Sequence, residues 1–326
     1  MFVLFNRKID PFFNLALEEY LLTQFDQDIF MLWQNDNTIV VGKNQNTLAE
    51  INYDYVKEHQ INVVRRLTGG GAVYHDMGNV NYTFIERNAS EHFNNYARFT
   101  QPIIEILNQL GVNACLSGRN DLLIDGKKFS GNAQYSWKGS MLHHGTLMFS
   151  SSIKDISAAL RVNPLKIQSK GIKSVSSRVT NISSHLNEPL TIRQFCEKIL
   201  GEILRRYPDA ALYELTDADI AQVEQLVETK YGTWDWNFGK SGKYSFRKES
   251  YFPSGLLDVN LQVENGVILE ARFYGDYFGK RDIGELETKL IGIKHEQVEL
   301  EKILAAQNLG DYFAGITREQ LLEAMF

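Results

Sequence analysis

From residue 29 to residue 150 the apolar residues come in short runs, and this fragmentation limits the fold more than any other feature. The runs are IFMLW (29–33), TIVVG (38–42), INVVRR (61–66), AVYH (72–75), NVNYTFI (79–85), DLLI (121–124), KKFSGNAQY (127–135) and SMLHHGTLMFS (140–150). They are too short for helices and rich in β-branched and aromatic residues, so they read as strands. Helices interrupt them only intermittently. One starts at Asp10-Pro11, an N-cap followed by proline at the first helical position, and continues through FFNLALEEYLL. Another covers about Asn95 to Leu110 and stops at Gly111. Strands without regular βαβ alternation predict an α+β fold.

Beyond residue 150 the pattern changes twice. Residues 169–184 are rich in Ser, Lys and Gly without a period, which predicts an exposed loop that orders over a ligand. Helices are expected over 191–207 and 216–230. The glycine-rich, basic segment WDWNFGKSGK (234–243) then reads as a change of domain. Strands across 244–274 turn at Glu264-Asn265-Gly266, and helices near 282–290, 295–305 and 317–325 complete a second α+β unit. The expected division is a large unit over 1–240 and a small one over 244–326.

Charge and composition narrow the function. With 326 residues, 44% of them apolar, the chain has enough material for two packed units. A net charge of −6 argues against a dedicated nucleic-acid binder. Arg7, Lys8 and Asp10 interrupt the opening MFVLFNRKID before a signal-peptide core forms, and no apolar run reaches membrane-spanning length. A cytoplasmic protein is expected, with no nucleic-acid or membrane partner. Cys115 and Cys196 form no CxxC pair; Cys115, in VNACLS, is expected to be a small buried strand residue.

Three segments can do chemistry. In Arg65-Arg66-Leu67-Thr68-Gly69-Gly70-Gly71-Ala72-Val73-Tyr74-His75-Asp76 the glycine triplet lets backbone amides approach phosphate oxygens, and the arginines offer permanently charged donors. The segment is neither a P-loop nor a GxGxxG turn, and a tight hairpin with a surface arginine pair has the same sequence. In Gly118-Arg119-Asn120-Asp121 through Lys127-Lys128-Phe129-Ser130-Gly131, Asp125-Gly126 predicts a hairpin turn. Alternation then sends one of the two lysines inward, where it needs an anion such as an α-phosphate. Asn120 and Asp121 carry oxygens suited to Mg²⁺, although a charged sheet edge also accounts for this segment. The third segment is His143-His144-Gly145-Thr146; a histidine within an apolar run is usually a hydrogen-bonded core residue, and without HExxH a zinc site is not expected. Glu18 and Glu19 interrupt the first helix and either reach solvent or line a polar pocket.

Taken in order, DPFFNLALEEYL, LWQNDNTIVVGKNQN, RRLTGGGAVYHDMGNVNYTF, GRNDLLIDGKKFSGNAQ and HHGTLMFS resemble the lipoate–protein ligase A family. The small C-terminal unit resembles the accessory domain of its long forms. The resemblance implies a mixed-sheet catalytic fold shared with biotin ligases and an ATP-dependent activity. Lipoate would be activated to lipoyl-AMP with release of pyrophosphate, then passed to a lysine of an acceptor. The implied acceptors are lipoyl domains of 2-oxoacid dehydrogenase E2 subunits and glycine-cleavage H-type proteins.

The resemblance also implies site roles. Lys128, in K-x-S-G, would be the catalytic cation. Arg66, Gly71, Ala72, Val73, Tyr74 and Lys128 would bind ATP; Trp33, Thr68, His75, Lys128 and His144 would bind lipoate; and Asn120 and Asp121 would face Mg²⁺. Some ligases carry an arginine seven residues after the motif lysine, where this chain has Tyr135. Two other readings stay open at this point. One is an ATP-independent octanoyl or lipoyl transferase working through a Cys115 thioester; the other is a non-catalytic sensor of lipoate or its adenylate.

Overall fold

The computed structural model describes residues 1–160, 178–238, 246–264 and 266–326. Most of the loop expected over 169–184, part of the 234–243 segment and Asn265 of the hairpin turn lie outside the described residues.

The helix α1 (Pro11–Gln24) forms where the Asp10-Pro11 signal places it, and the Asp10 carboxylate accepts from the Phe12 and Phe13 amides. Apolar side chains on nearly all sides bury it within the larger unit. The strands are β1 (Phe2–Phe5), β2 (Ile29–Trp33), β3 (Thr38–Val41), β4 (Asn62–Arg65), β5 (Val73–His75), β6 (Asn79–Glu86), β7 (Ala114–Ser117), β8 (Asp121–Ile124), β9 (Lys127–Trp137), β10 (Ser140–Met148) and β11 (Ala211–Leu212). Eight of them make one mixed sheet in the order β11-β1-β2-β6-β10-β9-β8-β7, while β4-β3-β5 form a small second sheet. Neither β1 nor β11 was visible as a strand in the sequence.

The helix Tyr96–Gln109 and the helix Ile192–Arg206 cover one face of the large sheet, packing Phe99, Ile103, Phe195 and Ile199 onto Tyr82, Phe84 and Phe129. On the other face, α1 packs against Met31, Trp33 and Ile85. Between Asp125 and Gly126 the chain takes positive φ at both residues, 50° and 74°, the conformation a two-residue hairpin turn needs.

The C-terminal unit has its own core. Strands β12 (Phe246–Phe252), β13 (Gly255–Glu264) and β14 (Val267–Gly275) form an antiparallel meander. The helices Ile283–Leu290, Gln297–Ala305 and Arg318–Ala324 pack Leu286, Leu300 and Leu321 onto Val259, Leu261 and Phe273. Gly70 N donates to Tyr277 O, Gly275 N to Asn44 O, and Arg119 Nη1 to Ser254 O, so this unit rests against the glycine triplet and the 118–120 segment. Among the described residues no helix is long and apolar enough to cross a membrane.

Candidate functional site

Strand register builds a row across the large sheet. Trp33 pairs with Asn81, Asn81 with Thr146, Thr146 with Gly131 by extension of the β9–β10 ladder, and Gly131 with Asp121. Directly paired residues project to one face, so these side chains share the face covered by α1. Counting by two from Gly131 would send Lys128 to the opposite face. It does not go there. A β-bulge between Leu122 and Leu123 places Lys128 opposite Leu123, while Phe129 and Ser130 both turn into the far core. The inserted residue returns Lys128 to the face of Gly131.

One cleft opens on this face. Its lining includes Trp33, Arg66, Gly71, Ala72, Val73, His75, Asn120, Lys128 and His144 from the expected set. It also includes Gly70 of the triplet, Gly131 and Thr146 from the segments singled out above but given no role there, and Leu15, Val40, Asn81 and Phe278, which sequence reasoning missed. Lys128 stands half-exposed at one end, with Nζ 2.7 Å from Asp121 Oδ1. A Cβ on Gly131 would lie 3.0 Å from Lys128 Nζ, so the glycine leaves room for the ammonium. At the other end Trp33 is fully buried. Three strand steps of about 4.8 Å separate the two ends, about 14 Å in all.

The glycine triplet is shaped from inside. Arg66 Nε donates to Thr68 Oγ1, Nη1 to Val40 O, and Nη2 to the carbonyls of Gly69 and Gly71 at 2.7 and 2.8 Å. Burial draws its pKa down to about 10, so the guanidinium is still a cation at neutral pH. Arg66 therefore curls the loop and adds positive potential under it. Arg65 faces the opposite way. It is fully buried, and its donors go to the carbonyls of Gly42, Lys43, Gln45, Trp236 and Asn237 and to Thr47 Oγ1. The expectation that both arginines offer donors to a ligand is thus corrected: Arg65 is a structural tie, because strand alternation separates neighbours.

Behind the cleft runs a buried polar chain. Trp33 Nε1 donates to Thr83 Oγ1, which donates to Glu18 Oε1 at 2.6 Å. Glu18 meets His144 Nδ1 at 3.0 Å, and His144 Nε2 lies 2.9 Å from Thr68 Oγ1. Of the two carboxylates that interrupt α1, Glu18 belongs to this buried chain behind the cleft, and Glu19 ion-pairs with Lys230. The adjacent histidines divide by strand alternation: His143 stacks on Phe99 in the core, and His144 joins the cleft. Burial, reinforced by Arg66, pushes the His75 pKa down to about 3, so that imidazole is neutral in the physiological range.

Three expected residues stand apart from the lining. Thr68 lies behind it, between Arg66 and His144. Tyr74 alternates away from Val73 and His75 and donates its hydroxyl to Asn37 Oδ1. Asp121 reaches the site through Lys128, one strand over. At Tyr135, the position where some ligases have arginine, Lys43 Nζ lies 5.3 Å from the ring and pairs with Asp282. Cys115 is exposed on β7, the outermost strand, and not buried as expected; it does not line the cleft. The cleft combines a cation, a glycine-lined loop and a mostly apolar end closed by an indole, an arrangement suited to joining an anion with an apolar tail to a phosphate.

Comparison with known proteins gives consistent matches over nearly the whole chain. Residues 10–204 match the family model described as the lipoyl protein ligase A/B catalytic domain, and residues 241–325 that of the bacterial lipoate protein ligase C-terminus. The lipoate-protein ligase LplJ of Bacillus subtilis (strain 168) is 44% identical over 321 residues, covering 97% of each chain. Lipoate–protein ligase 1 of Staphylococcus aureus (strain Mu50) is also 44% identical, over 99% of each chain. Among solved structures, LipL1 of P. falciparum in complex with lipoate superposes with a TM-score of 0.81 at 27% identity, covering 99% of each chain.

Proposed function

The chain belongs to the lipoate–protein ligase family, and from that premise we propose that its cleft activates lipoate with ATP and hands the lipoyl group to a lysine of an acceptor domain. The placement of Lys128 supports this most: its ammonium stands in one cleft with the glycine triplet, opposite the end closed by Trp33. A lipoate carboxylate oxygen attacks the α-phosphorus of ATP, an O–P bond forms, and pyrophosphate leaves. Two anions must meet in that step, and Lys128 together with the buried Arg66 cation lowers its cost. The acceptor lysine's neutral amine then attacks the acyl carbonyl. An amide forms, AMP leaves, and Lys128 holds the developing oxyanion.

In this reading Arg66, Gly71, Ala72, Val73 and the backbone of Tyr74 cradle the nucleotide. Trp33, Thr68, His75 and His144 surround the acyl chain, Thr68 from behind. Asn120 and Asp121 would hold Mg²⁺. The Asp121 carboxylate is partly exposed beside the cleft, and among the described residues no cluster of three metal-binding side chains exists. One carboxylate and one amide fit an ion that takes its other ligands from phosphate and water. Bound there, Mg²⁺ would neutralise phosphate charge. Residues 1–240 would carry both half-reactions and 244–326 would form the accessory unit. The acceptors would be lipoyl domains of 2-oxoacid dehydrogenase E2 subunits and glycine-cleavage H-type proteins, in the cytoplasm.

The exposed position of Cys115 outside the cleft speaks against a thioester route. Cys115→Ser should keep wild-type lipoyl transfer, and pyrophosphate release should require both lipoate and ATP. A folded but inactive Cys115→Ser protein, or transfer that proceeds without ATP, would favour the transferase.

A further inference from the structure

The closed end of the cleft contains two hydrogen-bond donors with nothing to donate to. Asn81 Nδ2 and His75 Nε2 are both buried and both lack a partner, and both residues line the cleft. Each donor's orientation is fixed from behind. Asn79 Nδ2 donates to Asn81 Oδ1 at 2.9 Å, which turns the Asn81 amino group the other way. Asn14 Nδ2 donates to Asn35 Oδ1 at 2.9 Å, so Asn35 presents its Nδ2 to His75 Nδ1 at 3.2 Å. His75 Nδ1 is then an acceptor, and the ring proton sits on Nε2.

Their place in the fold is equally specific. Asn81 pairs with Trp33 in the strand register, and the Trp33 and His75 rings lie 6.5 Å apart, edge to face. Asn81, on β6, lies two strand steps, about 10 Å, from the strand that carries Lys128, and His75 joins it beside Trp33, away from the ammonium. Buried donors without partners carry a desolvation cost that a ligand acceptor atom relieves and a hydrocarbon does not.

Resting on the ligase reading above, we propose that Asn81 and His75 are specificity-determining residues that recognise sulfur at the far end of the acyl substrate. The dithiolane sulfurs of lipoate are weak acceptors, and octanoate ends in a methyl group. A site that presents buried donors discriminates against the analogue that cannot receive them. The pair therefore sets a preference for lipoate over a straight-chain acid of the same length.

The test is ATP–pyrophosphate exchange driven by lipoate or by octanoate, with kcat and KM determined separately for each acid. Asn81→Leu keeps the branching at Cγ and removes the donor. It is expected to lower the lipoate-to-octanoate ratio of kcat/KM by about tenfold, mainly through KM. His75→Phe keeps a ring against Trp33 and should shift the ratio the same way, and it decides the matter alone if Asn81→Leu fails to fold. Ratios within about twofold of wild type, with exchange intact, overturn this proposal and leave the ligase reading standing. Absence of exchange with either acid in the wild-type protein overturns both.

Discussion

Replacing Lys128 with alanine should lower lipoate-dependent pyrophosphate release by roughly two orders of magnitude or more, with the fold retained. The size follows from removing a principal preorganised cation from a step that brings two anions together. The fold survives because the side chain is 39% exposed and its ion pair is with Asp121, itself 34% exposed. An exposed pair of this kind contributes little to stability. The loss should fall mainly on kcat, since the ammonium acts most strongly where negative charge crowds onto the oxygens around the α-phosphorus as the new bond forms. Lys128→Arg restores charge without the point geometry and should recover only part of the rate. Near-normal pyrophosphate release by a folded Lys128→Ala protein would remove the ammonium from the centre of the chemistry.

The second large effect is expected at Gly42, which no sequence pattern singled out. A Cβ there would sit 2.0 Å from the carbonyl oxygen of Gly70 and 3.3 Å from Arg66 Nη2. Neither side yields easily. Gly42 N donates to Gln45 Oε1, Gly42 O accepts from Arg65, and Lys43 N donates to Thr68 O. Gly42→Ala must therefore push the triplet outward and pull the Gly69 and Gly71 carbonyls off the Arg66 guanidinium. Overpacking of this kind costs about 1–3 kcal/mol, which lowers Tm by roughly 5 °C in a chain of this size. Displacement of the cradle should reduce kcat/KM for ATP by roughly 100-fold. Gly201 is the control: it lies in the helix Ile192–Arg206 and a Cβ there meets nothing within 4 Å. Gly201→Ala should leave activity unchanged. Equal, near-wild-type activity from both variants would contradict the close approach of the two loops.

Local signals account for what could be read in advance. Asp10-Pro11 starts α1, Asp125-Gly126 turns a hairpin, and β-branched runs lie in the strands they suggest. Each depends on residues within one or two turns of the chain. Features set by long-range pairing were not legible. The β9 bulge decides which face Lys128 takes, and it depends on how β8 aligns with β9. Cys115 is exposed because β7 ends the sheet, a fact of strand order and not of the apolar VNACLS context. Glu18 is buried because Thr83 and His144 reach it from strands far along the chain. Phe278 enters the cleft from the C-terminal unit with no local pattern to announce it. Asn81 left a trace, since it occurs between Asn79 and Thr83 in a strand whose alternate residues are polar.

The family assignment and the cleft meet in one claim, that ATP-dependent acyl transfer to a lysine occurs beside Lys128. The most direct test is intact-mass measurement of a purified lipoyl domain incubated with this protein, lipoate and Mg²⁺, with and without ATP. The account predicts a gain of one lipoyl group only when ATP is present, abolished when the acceptor lysine is replaced. An unchanged mass with ATP present, or an equal gain without it, would contradict the account.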